Sequence, residues 1–385
     1  MEHAEILHRC FRCGYCKLPG SFQDLNCPPY LKYRFETYAP GGRMWLLRAW
    51  LDEEIETSPR LSEILFSCTA CGNCVEHCVF PAFKDDLLDT FTAGREELVN
   101  QGVVPDAVGR YLRAIHSHGN PYNLPEADRA GWADGLGVER YSGQEYLFYV
   151  GCPGSYDERG QKMARAVAGL LLKWGVDFGI LGEEEGCDGN EVKVLGETGL
   201  FEQLAQENIE KFGAAGVRKI ITLSPHGFHA IKNEYPKLGG SFEVYHYPQL
   251  LAGLLEKGEF RRGQQSLRVT FHDPCYLGRH NKDYLTPRAV LGALPGIELL
   301  EMDRAMADAL CCGGGGGNSF TDVLGGGADS APRVRVREAA GTGAEVLAVA
   351  CPKCARMFED AIKTEDLEDE LRVMDIAELV QEHCA

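Results

Sequence analysis

Two adjacent cysteines followed by five glycines, Cys311-Cys312 and then Gly313 to Gly317, limit how this chain can fold more than any other stretch. Such a pair makes little sense as packing, although a free cysteine alone behaves as a small buried hydrophobe. It needs partners. Upstream, Cys275 closes His272-Asp273-Pro274-Cys275, and downstream Cys351-Pro352-Lys353-Cys354 is a C-x-x-C. Five thiols therefore come from three separated segments that the fold must bring together. Five thiolates exceed the four ligands that zinc takes, and a vicinal pair does not readily put both sulfurs on one tetrahedral ion. A multi-iron centre fits the set better.

The first eighty residues carry a second cysteine system. Cys10, Cys13 and Cys16 recur at intervals of three and are followed by Cys27-Pro28, while Cys68, Cys71, Cys74 and Cys78 form a C-x2-C-x2-C-x3-C run with Pro81 close behind. The arrangement resembles a two-cluster ferredoxin module, in which the fourth cysteine of each run ligates the other cluster. The resemblance implies one [4Fe-4S] cubane on Cys10, Cys13, Cys16 and Cys78, and a second on Cys68, Cys71, Cys74 and Cys27. The first run departs from the pattern, because ten residues separate Cys16 from Cys27. A zinc ribbon is the competing reading, but ribbons use paired C-x-x-C knuckles rather than a triplet. His77, inside the second run, reads as a bystander.

Apolar spacing near 3.6 predicts a helix over Trp45 to Leu51 between the runs. Ser58-Pro59 reads as an N-cap with proline at the first helical position. Helical patterns continue over Leu87 to Leu98 and Ala107 to Ile115, so this region resembles the α-helical ferredoxin type. The Gly-, Pro-, Asn- and Asp-rich stretch 116–143 reads as a linker.

From residue 144 the pattern changes to short apolar runs alternating with helical stretches, with strands expected at Tyr146 to Val150, Ile220 to Leu223, Val269 to His272 and Val346 to Val349. The unit is duplicated. Cys152 follows the first strand of copy one as Cys275 follows that of copy two. Gly186-Cys187-Asp188-Gly189 falls where Cys311-Cys312-Gly313 falls, and Ser224-Pro225-His226-Gly227 where Cys351-Pro352-Lys353-Cys354 falls. The expected architecture is α+β overall: an α-helical two-cluster ferredoxin domain at 1–115, the linker at 116–143, and two α/β parallel-sheet repeats at 144–265 and 266–385. Cysteines just beyond strand ends occupy the crevice where open α/β sheets bind ligands.

Copy one has Asp188, Ser224 and Gly227 where copy two has Cys312, Cys351 and Cys354, so it is expected to hold no iron-sulfur cluster. Its Cys152 and Cys187, with His226 or His229, form either a tetrahedral zinc site or a vacant site of buried thiols. The glycine run lacks a following Lys-Ser or Lys-Thr and no G-x-G-x-x-G opens a helix, which argues against a nucleotide loop. Glycine instead lets backbone N–H groups approach cluster sulfides. Lys353 reads as solvated, and Cys384 as a free thiol at a frayed terminus.

The Cys-Cys-Gly pattern resembles the CCG motif of the B- and D-type subunits of the heterodisulfide reductase family, and the resemblance covers nearly the whole chain. It implies that Cys275, Cys311, Cys312, Cys351 and Cys354 hold a non-cubane [4Fe-4S] cluster. It implies a cytoplasmic electron-transfer subunit of an anaerobic oxidoreductase complex, partnered by a flavin-containing heterodisulfide reductase A-like subunit or a ferredoxin-type subunit. Two alternatives come with the family: a catalytic heterodisulfide reductase subunit, and the iron-sulfur subunit of a glycolate- or lactate-oxidising system. The subunit of this type in class II benzoyl-coenzyme A reductase complexes is a further relative. Loss of three ligand positions in copy one departs from the two-cluster plan for splitting a disulfide.

Composition narrows the rest. A formal charge of −18 repels phosphate backbones and anionic membrane surfaces, so nucleic acid is not an expected partner. No run approaches a membrane span, and the start Met-Glu-His-Ala-Glu has no basic and apolar signal regions. Sixteen cysteines in a chain read as cytoplasmic serve as metal ligands rather than disulfides, because the cytosol keeps thiols reduced.

Overall fold

A computed structural model describes residues 4–21, 24–256 and 266–384. Residues 1–3 and the expected repeat boundary at 265/266 lie outside the described residues. The N-terminal region is helical, and among the described residues no strand precedes Tyr146. Ser58 caps the helix Pro59–Phe66 by accepting from Leu61 N at 3.2 Å, with proline at the first helical position. Helices Pro40–Leu51 and Leu87–Asn100 pack on it, and Asp106–His118 follows. None of the described helices is long and apolar enough to cross a membrane.

The stretch read as a linker does more than connect. Helix Asp106–His118 runs into it, and Glu126–Ala133 winds a 3-10 helix whose Arg129 and Trp132 are buried. Eight residues with two anchoring side chains leave too little periodicity to be read from sequence.

Two four-stranded sheets follow, each wholly parallel. The first contains β1 (Tyr146–Tyr149), β2 (Phe178–Gly179), β3 (Lys219–Thr222) and β4 (Glu243–His246) in the order β2-β1-β3-β4. The second contains β5 (Leu267–Phe271), β6 (Ile297–Leu299), β7 (Val346–Val349) and β8 (Arg372–Asp375) in the order β6-β5-β7-β8. The identical orders make the duplication structural. In both, the chain first crosses to one side and then returns to the other. The switch point therefore lies between β1 and β3 and between β5 and β7, where ligands gather beyond the carboxyl ends of strands.

Alternation along β1 divides its side chains between two cores. Phe148 shares a core with Val269 and Val346 of copy two, reached through helix Glu158–Lys173, which packs on helices Pro352–Thr364 and Ile376–His383. Leu147 and Tyr149 share another with Leu61, Leu65 and Phe91 of the N-terminal helices. Copy one thus shares cores with both the ferredoxin-like region and copy two, which also meet each other directly through Arg279 and the Cys71 carbonyl. Cys384 is only 2% exposed, and its carbonyl accepts from Lys173 Nζ at 2.8 Å, so the last helix is docked where a frayed end was expected.

Candidate metal centres

The first N-terminal centre opens toward the surface. Cys10, Cys13, Cys16 and Cys78 line one apolar cavity together with Phe11 and Phe80. Cys13 is exposed, and Phe11 is 64% exposed beside it. Gly14, at φ 89°, turns the backbone between Cys13 and Cys16 in the left-handed region that glycine accepts readily.

The second N-terminal centre is interior. Cys27, Cys71 and Cys74 are buried, and Cys27 lies within electrostatic reach of Cys71 and Cys68. Three fully or nearly buried guanidiniums surround it. Arg43 donates to Ile64 O, Tyr38 O and Ser67 Oγ at 3.1, 2.6 and 2.9 Å. Arg95 donates to Leu65 O and Val194 O at 2.9 and 2.8 Å, and also to Cys68 O. Arg279 donates to Cys71 O at 2.8 Å and Ala309 O at 2.6 Å, and its Nη2 has no hydrogen-bond partner. None of the three forms an ion pair with a carboxylate among the described residues. Buried charge without a counterion is costly. Anionic thiolate-bound iron-sulfur groups supply the missing negative charge, so the residues present fit such a group. His77 pairs with Asp308 at 3.2 Å.

Copy two gathers its thiols at its switch point. Cys275 follows β5, Cys351 caps the helix Pro352–Thr364 directly after β7, and all five cysteines are buried. Cys311 Sγ is 4.0 Å from Cys275 Sγ, and Cys354 Sγ is 3.3 Å from Cys312 Sγ. Gly313 N donates to Cys311 Sγ at 3.3 Å. Bonds from Cys311 and Cys354 hold the Cys312 thiol well below the usual range, against the burial that raises it. His272, at the end of β5, joins Cys312 and Cys354, the three ligand atoms lying within 4.8 Å of one another. His272 is the ligand-type residue that sequence reasoning passed over. Its signal was its place three residues before Cys275.

The two systems touch. The Cys71 thiol is pushed down to about 5, first by a bond from Cys311, which overcomes burial, and then by Arg279. The glycine run lies against the second cysteine run: a Cβ on Gly315 would overlap the Thr69 carbonyl, and one on Gly316 would lie 2.5 Å from that of Cys68. The run therefore permits two cysteine-bearing loops to meet.

Copy one is arranged otherwise. Cys152 and Cys187 line one small cavity, and Arg129 Nη1 and Nη2 both lie 3.8 Å from Cys152 Sγ. The bond from Cys187 lowers the Cys152 thiol to about 7 against burial, with Arg129 adding to the effect. The expected histidines are engaged elsewhere. His226 Nδ1 sits 2.8 Å from Glu191 and the ring bonds Cys351 across the copies, while His229 Nδ1 bonds Asn233 at 3.0 Å. Zinc with bonds near 2.0–2.3 Å needs its ligand atoms mutually close. Among the described residues the one close group of three ligand atoms is His272, Cys312 and Cys354, in copy two. Lys353, read from the sequence as solvated, is corrected. It is 9% exposed and pairs with Glu191 at 2.6 Å, a buried link between the copies that a lysine in a C-x-x-C does not announce.

Sequence comparison agrees with this layout. The 4Fe-4S dicluster domain family matches residues 6–80, and the Cysteine-rich domain family matches twice, at 146–232 and 269–359. The D-type subunit of the dihydromethanophenazine:CoB--CoM heterodisulfide reductase of Methanosarcina barkeri is 31% identical over 98% of this chain and 93% of its own length. The EtfAB:quinone oxidoreductase of Syntrophomonas wolfei and the probable iron-sulfur-binding oxidoreductase FadF of Bacillus subtilis are each 36% identical over 83% of this chain. The chain spans about half the length of these last two relatives, 46% of each.

Proposed function

The chain belongs to the heterodisulfide reductase D-type family of iron-sulfur proteins, and from that premise we propose that it is a cytoplasmic electron-transfer subunit of an oxidoreductase complex. Cys10, Cys13, Cys16 and Cys78 would hold one [4Fe-4S] cubane, Cys68, Cys71, Cys74 and Cys27 a second, and Cys275, Cys311, Cys312, Cys351 and Cys354 a non-cubane cluster. When bound, these groups supply one-electron carriers whose potentials depend on their surroundings.

The meeting of the second cysteine run with the copy-two loops carries the reading: Cys71 shares one buried cluster with Cys275 and Cys311, Arg279 beside Cys275 donates to Cys71 O at 2.8 Å, and Gly315 and Gly316 lie against the Thr69 and Cys68 carbonyls. Exposure supports an order along the path. Cys13 and Phe11 stand at the surface, Cys27 and Cys74 are interior, and the copy-two thiols lie in the central core. Phe11 and the half-exposed Val79 give a flavoprotein or ferredoxin-type donor an apolar edge on which to dock beside the first centre. Arg279 spans the inner junction and holds positive charge between Cys71, Cys275 and Cys311. Burial of these groups keeps water from the junction.

Replacing Cys312 by Ser tests the path. The expected result is loss of the copy-two EPR signal and of electron delivery to the acceptor subunit, while both N-terminal centres are still reduced. Heterodisulfide reduction by the isolated wild-type chain at the rate of a whole complex would overturn the relay in favour of catalysis at copy two.

A further inference from the structure

The Cys152–Cys187 pair is absorbed neither by the relay nor by a metal site. Both thiols are buried and line the same small cavity. The guanidinium fork of Arg129 faces Cys152 at 3.8 Å and is itself buried, while the nearest carboxylate, Glu185, stands 4.0 Å from Nη1. Arg129 Nη2 also donates to Gly119 O at 3.1 Å and Nε has no hydrogen-bond partner, so the buried cation is shared between the Cys152 sulfur and the Glu185 carboxylate.

The pair also has an outlet. Cys152 and Cys187 line a small cavity whose other walls include Asp188, His226 and Lys353. Lys353 lies between Cys351 and Cys354 in the chain, and its Nζ stands 3.5 Å from His226 Nδ1. The cavity therefore reaches the start of the helix that carries Cys351 and Cys354, although the copy-two thiols themselves do not line it.

We propose that Cys152 and Cys187 form a redox-active dithiol that closes reversibly to a disulfide, exchanging two electrons with the iron-sulfur site of copy two. The inference rests on the proposed relay. In the oxidising direction a Cys152–Cys187 S–S bond forms, the thiol protons leave to the cavity, and two electrons depart singly to oxidised iron-sulfur carriers of this chain. In the reducing direction two electrons and two protons return and the bond breaks. Arg129 is a positioning residue. It stabilises a thiolate at Cys152, and hence the reduced pair, so removing its charge makes the pair easier to oxidise.

The full chain, purified anaerobically with its iron and sulfide, would be equilibrated with glutathione buffers of increasing oxidised fraction, then denatured, alkylated and digested for mass spectrometry. The expected result is that peptides holding Cys152 and Cys187 pass together from two alkylated thiols to one linked pair while visible iron-sulfur absorbance stays constant. Cys152→Ser should leave Cys187 alkylatable throughout, and Arg129→Gln should move the transition roughly tenfold toward the reduced glutathione ratio. The proposal is overturned if both thiols remain alkylatable in the most oxidising buffer with absorbance intact, if only glutathione adducts form, or if stoichiometric zinc disappears in Cys152→Ser. Absence of iron-sulfur absorbance from the wild type would instead overturn the relay, whether or not the pair links.

Discussion

A buried guanidinium with no carboxylate beside it is tolerable only where some other negative charge compensates it, and at Arg279 the groups in reach are Cys71, Cys275 and Cys311. A positive charge so placed favours the reduced, more negative state of whatever those thiolates hold. Arg279→Gln is therefore expected to lower the potential of an adjoining centre by on the order of 100 mV, taking an effective dielectric near that of partly buried sites. Arg279→Lys should retain most of the charge and shift it less. An EPR-monitored redox titration reads both, and unchanged potentials in Arg279→Gln would remove the residue from the junction. Asp375 makes a different prediction. Burial, reinforced by Glu378, pushes its carboxyl up to about 7 despite bonds from Tyr247 and the Ala377 amide. An acid raised on folding contributes stability below its unfolded pKa near 4 and loses it as pH rises through about 7. The Tm advantage of wild type over Asp375→Asn should shrink between about pH 4 and pH 7, and a constant difference would contradict the assignment.

Among the elements, the glycine run has the sharpest steric demand. Thr69 O and Cys68 O occupy the space that side chains at 315 and 316 would need, and Gly316 additionally holds φ at 62°. Gly315→Ala should force the two cysteine-bearing loops apart at a cost of about 1–3 kcal/mol, seen as a lower Tm together with slower reduction of the copy-two centre. An unaltered reduction rate would mean that the loops need not touch. Much at this scale was legible in the sequence. The four central strands β1, β3, β5 and β7 are short apolar runs, the Ser58 cap is a local signal, and the alignment of Cys152 with Cys275 requires only counting, whereas the edge strands β2, β4, β6 and β8 are too short or too polar to be read. What the glycines face was not legible, since Cys68 and Gly316 meet only after three layers have packed. Nor was the 3-10 helix carrying Arg129, because burial of an arginine follows from what surrounds it and arginine is ordinarily a surface residue.

At the scale of the whole molecule, the two copies hold one another through charge as well as through apolar packing. Arg159 forks onto Glu378 at 2.5 and 2.6 Å. Deeper in, Glu191 of copy one accepts from Gly317 N of copy two and pairs with Lys353 at 2.6 Å. Burial alone would raise the Glu191 carboxyl, but Lys353 and His226 outweigh it and hold it well below the usual carboxylate range. Removing one member strands the other in a medium that cannot solvate it, whereas removing both leaves a gap that apolar atoms can fill. Glu191→Gln alone should therefore cost about 3–5 kcal/mol, and the double variant Glu191→Gln with Lys353→Met should recover much of that loss. Anaerobic denaturation of the iron-loaded chain, run as a double-mutant cycle, measures the coupling. Losses that simply add would show that the Glu191–Lys353 pair does not couple the copies and that Lys353 finds its counter-charge in the thiolates beside it.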